Sequence, residues 1–301
     1  MTVTVDAPYA VRCDLGEGPH WNTGTARLSY VDIDAGRIHE LDPATGTDTV
    51  SSVEPPVSFA IPVVDGVGTV CGTGADLTLL DADDAPIGKR SVEPGRPGNR
   101  FNDGKADPAG RLWFGSMSLA RTPGDAAFYR LDAAGSLTTI DGSVTISNGL
   151  DWDVERQRMY YIDSPEQRID VFRFDVTTGE VEDRRTFATI DPSDGLPDGL
   201  TVDVDGGVWV ALFRGGAVRR YDPEGAIVET VRLPTTCPTC PVFGGTDLAT
   251  MFVTTSRHRL NHAERARQPL AGAILVVDAG VRGRPGNPVS ASTAAAVGAE
   301  E

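Results

Sequence analysis

Lysine is almost missing from this chain. Lys89 and Lys105 are the only two, and 27 basic side chains face 43 acidic ones, a net charge of −16. A nucleic-acid backbone needs a basic face, so nucleic acid is excluded as a partner. The acidic balance instead favours cations and keeps the chain in solution. Long apolar runs are also absent: none approaches the ~18 residues that a membrane span needs, so no membrane partner is expected. Met-Thr-Val-Thr-Val-Asp at the start has neither the basic region nor the apolar core of a signal peptide, and a cytoplasmic location is the expectation. Cysteine is scarce. Cys13, Cys71, Cys237 and Cys240 are too few for a disulfide framework. Cys237-Pro-Thr-Cys240 lacks the second ligand pair of a structural zinc and the βαβ setting of a redox motif, and reads as a loop with two thiols. No G-x-G-x-x-G follows a strand, which excludes a dinucleotide fold. No nucleophile elbow occurs either. Thr145-Ile-Ser147-Asn-Gly149 misses G-x-S-x-G by one residue and leads into a strand, so Ser147 reads as support for Asn148. His258 and His262 have i, i+4 spacing, but no Glu follows His258 as H-E-x-x-H requires, and the pair reads as a solvated helix face.

What the chain does contain is repetition. A turn residue opens an alternating strand near Glu17, Ser58, Asn102, Asn148, Asp198 and Gly244, at intervals of about 40–50 residues. A second series runs through it: alternating segments that end in Asp42, Asp81, Asp132, Asp175, Asp222 and Asp278, five of them with a glycine soon after. Asp side chains bond the turn backbone and Gly takes positive φ, the chemistry of hairpin turns. Between the two series lie hairpins such as 106–115, 151–162 and 202–211, each a short strand, a polar turn and an aromatic strand. Period-2 alternation with little helical pattern predicts an all-β chain. Six copies predict a six-bladed β-propeller of four-stranded blades. One domain should cover residues 1–282, its ring closed by an N-terminal strand within residues 3–13 paired beside 271–278. Leu260–Gln268 is the one helical candidate. The tail 283–301, rich in Gly, Pro, Ser and Ala, is expected to be disordered.

In a ring, equivalent positions converge on the central channel. Glu17, Asn102, Asn148 and Asp198 all carry oxygen, and each lies beside or one residue from a glycine that lets the backbone turn tightly. Two carboxylates with one or two amide oxygens predict a metal site at the mouth of the channel. The expected cofactor is one divalent cation, Ca²⁺ foremost, with Mg²⁺, Mn²⁺ or Zn²⁺ as alternatives. Asp103 and Asp107 read as caps of their own turn. Lys105 reads as a solvated side chain or the partner of a carboxylate.

The same residues resemble a known family. Gly16-Glu17-Gly18-Pro19-His20-Trp21, the block from Arg100-Phe101-Asn102-Asp103-Gly104-Lys105 to Arg111, Ile146-Ser147-Asn148-Gly149-Leu150-Asp151-Trp152 and Pro197-Asp198-Gly199 are similar to the senescence-marker-protein/gluconolactonase/luciferin-regenerating family, over about residues 10–282. That resemblance implies that Glu17, Asn148 and Asp198 are metal ligands and that Asp198 is also the acid/base. It further implies that Arg100 and Asn102 hold substrate hydroxyls. The activity implied is hydrolysis of a small-molecule sugar lactone to the aldonic acid. A propeller buries its own edges, so a monomer is expected. One departure stands out. After Gly115-Ser116-Met117 come Leu119 and Ala120, where family members acting on sugar lactones often carry acidic residues, and this opens the way to less polar lactones or organophosphate esters. A non-catalytic calcium-binding propeller is the competing class. An arginine at the channel mouth favours the enzyme.

Overall fold

The computed structural model describes residues 4–66 and 68–298. Among these, 24 strands form six antiparallel four-stranded sheets, the six blades of a propeller. The inner strands of blades 1 to 6 are Gly16–Asn22, Val57–Pro62, Asn99–Ala106, Ser147–Asp153, Leu196–Val202 and Pro238–Gly244. Blades 1 to 5 each use four consecutive strands. Blade 6 takes its outermost strand from the other end of the chain, with Val5 opposite Val277 and Asp6 opposite Val276. The ring therefore closes as expected, through a strand shorter than the 3–13 range; residue 3 lies outside the described residues.

The recurrent aspartates follow the third strand of each blade. Asp42 accepts from the N–H groups of Ala44 and Thr45, Asp132 from Ala134 and Ser136, and Asp222 from Glu224 and Ala226. The inner hairpins use aspartate more heavily. Asp107 accepts from the N–H groups of Ala109 and Arg111 while its other oxygen takes Arg111 Nε (2.6 Å) and Trp113 Nε1 (2.9 Å). Asp203 repeats the pattern with Asp205, Gly207, Trp209 and Arg220.

Alternation gives each sheet two faces, and each face packs on the next blade. Six core clusters follow the six seams. Phe59, Phe101 and Phe114 fill the seam of blades 2 and 3, and Trp113, Trp152 and Phe174 that of blades 3 and 4. Tyr160 with Val210, Trp209 with Phe243, Trp21 with Phe252, and Val31 with Cys71 fill the others. The four cysteines are buried and free. Cys237-Pro-Thr-Cys240 is not a loop: residues 238–240 begin the inner strand of blade 6, where the thiols serve as small apolar groups.

The helical candidate shrinks to α1, His262–Arg267, opened by a capping box in which Asn261 accepts from Glu264 N and Glu264 accepts from Asn261 N. The tail, expected to be disordered, is packed as far as Gly298; residues 299–301 lie outside the described residues. It crosses the end of the channel where the inner strands finish. Arg284 donates to Asp203 O, Asn287 Nδ2 donates to Ala106 O, and Gly286 lies against the ring of His20. Val289 N–H then donates to Pro62 O, and Ser290 N–H to Gly110 O. A second helix, α2 (Ala291–Gly298), buries Thr293, Ala294, Ala296 and Val297 against blade 2. Composition misled here because the segment is held by backbone hydrogen bonds, which composition does not show, and by close approach, a Cβ on Gly110 standing 2.7 Å from Ser290 N.

Candidate functional site

All six inner strands break register at the same level. The breaks fall at Gly18–Pro19, just after Glu17, at Ser58, Asn102, Asn148–Gly149 and Asp198–Gly199, and in blade 6 at Thr239–Cys240. An extra residue in a strand turns its side chain out of the alternating pattern, and here it turns toward the channel. The equivalent position in blade 6 is thus Thr239–Cys240, not Gly244, which ends its strand. The inner strands approach closely at this level. A Cβ on Gly149 would stand 2.6 Å from the Asp198 carbonyl oxygen and 2.7 Å from Leu200 N, so only glycine fits beside Asn148.

Glu17, Asn148 and Asp198 are brought together at one mouth of the channel, all nearly buried, with Arg100 and Asn102 on the same wall. Glu17 accepts from Gly18 N–H (3.1 Å). Asn148 donates its amide nitrogen to Ser164 Oγ (3.0 Å), and that hydroxyl donates to Pro197 O (2.7 Å), which leaves Asn148 Oδ1 for the channel. Asn102 donates to Ser147 O (2.8 Å) and accepts from Arg100 (3.0 Å). Burial pushes the carboxyls of both Glu17 and Asp198 well above the usual range. For Glu17 the charge of Asp198 adds to the effect, and for Asp198 the neighbouring Asn148 partly offsets it. Deeper in the channel Asp103, raised by burial, caps Gly104 N–H (2.7 Å), and its second oxygen is buried without a partner. Lys105 is not solvated. Its Nζ donates to Leu200 O (2.7 Å) and lies 3.8 Å from Asp151, the carboxylate partner that the sequence allowed.

Above these groups opens a cavity of about 110 Å³, walled by Leu15, Ile33, Met117, Ile146, Leu196 and Phe213. Several of its residues escaped sequence reasoning. Ser164 was missed although it fixes Asn148, because Asp163-Ser164-Pro165 carries no motif. Ser147 was assigned to Asn148, but its carbonyl holds Asn102 and its hydroxyl accepts from Tyr161 (2.9 Å). His258 is not on a helix face; it precedes α1, lines the cavity and lies 2.7 Å from Asp34. Arg121 and Arg259 also line it. Leu119 and Ala120 are exposed beside it.

Comparison with known proteins agrees with this architecture. A family model, the SMP-30/gluconolactonase/LRE-like region, matches residues 15–257. The chain is 37% identical over 275 residues to the "Putative sugar lactone lactonase YvrE" of Bacillus subtilis, covering 88% of this chain and 91% of that one. A luciferin-regenerating enzyme superimposes with a TM-score of 0.90 at 30% identity, over 96% of this chain and all of its own. Regucalcin of Agrobacterium tumefaciens, titled a calcium-binding protein, gives 0.86 at 27% identity, over 93% and 97%. The chain is a member of the SMP-30/gluconolactonase/LRE-like family of β-propellers.

Proposed function

We propose that this protein is a divalent-metal-dependent hydrolase that opens the ring of a small lactone, with Glu17, Asn148 and Asp198 as metal ligands and Asp198 as acid/base. The observation that carries the reading is the pairing of two nearly buried carboxylates at one channel mouth, each pushed toward protonation by burial. Two such groups form an electrostatic deficit, and hard oxygen donors suit a divalent cation such as Ca²⁺, with Mg²⁺, Mn²⁺ and Zn²⁺ as the other candidates. The free Oδ1 of Asn148 fits the same role. Family membership, and likeness to a protein named "Putative sugar lactone lactonase YvrE", support the reaction class.

When bound, the cation supplies Lewis-acid polarisation of the lactone carbonyl. The protein's own groups do the rest. Asp198 takes a proton from the attacking water as the new C–O bond forms, and returns it to the ring oxygen as the ring C–O bond breaks. Burial raises the proton affinity of the Asp198 carboxylate, which strengthens it as a base toward that water. Arg100, held by Phe101 O (2.6 Å) and Asn102, offers its remaining N–H groups to substrate oxygens. The apolar walls keep bulk water from the ring. No strong protein nucleophile is needed, because a lactone is an activated ester.

The test is base-consumption turnover of simple lactones by metal-stripped protein reloaded with each cation. Restored turnover that is lost in Asp198→Asn supports the assignment. Tight cation binding without turnover on any lactone leaves a calcium-binding propeller instead.

A further inference from the structure

The rim of this cavity holds charge that the reaction does not use. Arg121 lies in the connection after the second strand of blade 3, and Arg259 in the connection after the second strand of blade 6. Blades 3 and 6 stand opposite one another in the ring. Both arginines line the cavity and both are exposed. Among the described residues neither side chain makes an ion pair or a hydrogen bond, although carboxylates outnumber basic groups by 43 to 27 in the chain. The other cations near the cavity are engaged: Arg257 with Asp14 (2.6 Å), His258 with Asp34 (2.7 Å), and Arg100 with Phe101 O and Asn102.

The remaining lining sharpens the point. Asn102 has one N–H on Ser147 O and its oxygen on Arg100, and the Ser164 hydroxyl both accepts and donates within the protein. Apart from the carboxylates at the channel mouth, Arg100 and the remaining amide capacity of Asn102 are left as the few partners for substrate hydroxyls. The walls between it and the rim are aliphatic and aromatic. A richly hydroxylated ring would bury hydroxyls against them without hydrogen bonds, which costs free energy. An anion on the far side of the ring would meet two guanidinium forks, whose geometry matches a carboxylate or a phosphate.

We propose that the preferred substrate is a sparsely hydroxylated lactone bearing an anionic group distal to its ester, and that Arg121 and Arg259 recognise that group from opposite blades. This rests on the lactonase reading above. It differs from it in assigning substrate class to two rim residues that touch neither the acid/base nor the metal ligands.

The experiment compares kcat/KM across matched pairs, using protein supplied with the best cation: γ-butyrolactone against the same ring carrying a γ-carboxylate, and δ-gluconolactone against its 6-phosphate. Wild type, Arg121→Gln, Arg259→Gln and the double variant are assayed at low and high salt, with a thermal melt for each. The anionic member of a pair should be favoured by about 5- to 30-fold, the range for two partly exposed ion pairs. That preference should shrink with salt. Each single variant should lower it by about 2- to 5-fold, and the double variant should abolish it. Turnover of the neutral members should stay unchanged. The pair with the larger ratio identifies carboxylate or phosphate as the group. Equal turnover of neutral and anionic members, or a preference untouched in the double variant, overturns the inference while leaving the lactonase standing. No turnover of any of the four removes both.

Discussion

At the scale of single residues, Asp198 and its neighbours are the groups on which the proposed chemistry rests. Burial, with the charge of Asp103 adding to it, raises the Asp198 pKa above its unfolded value. A carboxyl shifted this way stabilises the fold below its unfolded pKa, and that contribution is lost as pH rises through the folded pKa. Without metal, the two buried carboxyls therefore weigh increasingly against the fold as pH rises. In chelator, Asp198→Asn should melt roughly 3–8 °C above wild type at pH 8, with the gap closing as pH falls toward 4. Added cation should reverse the order, since it binds the folded wild type and not the variant. Thermal melts across pH, with and without metal, check both signs. Gly149→Ala is a second probe, because its Cβ would meet blade 5 backbone rather than a side chain that can swing away. Overpacking of that kind costs about 1–3 kcal/mol, read by urea unfolding, and should lower turnover by displacing Asn148. Much of this was legible beforehand. Glu17, Asn102, Asn148 and Asp198 carry polar oxygen beside glycine at a regular period, and a ring gathers such positions. Ser164 was not legible, because it acts through Asn148 from the far end of the neighbouring strand.

At the scale of elements, the inner strand and its hairpin are the units that place the site. The bulge turns the functional side chain inward, and the aspartate of the hairpin holds the strand's far end. Asp107 is fully buried against Arg111 and Trp113. Asp107→Ala should cost about 3–5 kcal/mol in urea unfolding, because it strands a buried guanidinium. Asp42→Ala, in an outer turn, should move the urea midpoint far less. Sequence periodicity located five of the six inner strands correctly. It misplaced the sixth because Phe243-Gly244-Gly245 carries the turn glycines, whereas the true bulge residues, Thr239 and Cys240, lie among prolines and cysteines that mimic a loop.

At the scale of the whole molecule, the two ends of the channel differ. One mouth opens into the cavity over Glu17 and Asp198. The C-terminal strap crosses the other, where burial holds the His20 pKa down at about 4, so this ring is neutral against the strap at neutral pH. Truncation after Arg282 removes the buried Val289 and Val297, each worth about 1.5–3 kcal/mol. The truncated protein should unfold at markedly lower urea, yet keep its lactone kcat/KM at low temperature, since the strap lies away from the mouth that holds Glu17 and Asp198. An unchanged midpoint would show that the strap is a passenger. The six-fold architecture was readable because each blade repeats the same turn chemistry; the strap, present once, left no period to read.

The most direct test of the account is metal-dependent lactone hydrolysis by wild type and Asp198→Asn. Stripped of cation, the wild type should be inactive on every lactone offered. One divalent cation should restore turnover, and Asp198→Asn should remain at least about 100-fold below it, as expected for loss of a general acid/base. Full activity in excess chelator, or an Asp198→Asn variant as fast as wild type, would contradict the assignment of this channel mouth as a metal-assisted lactonase centre.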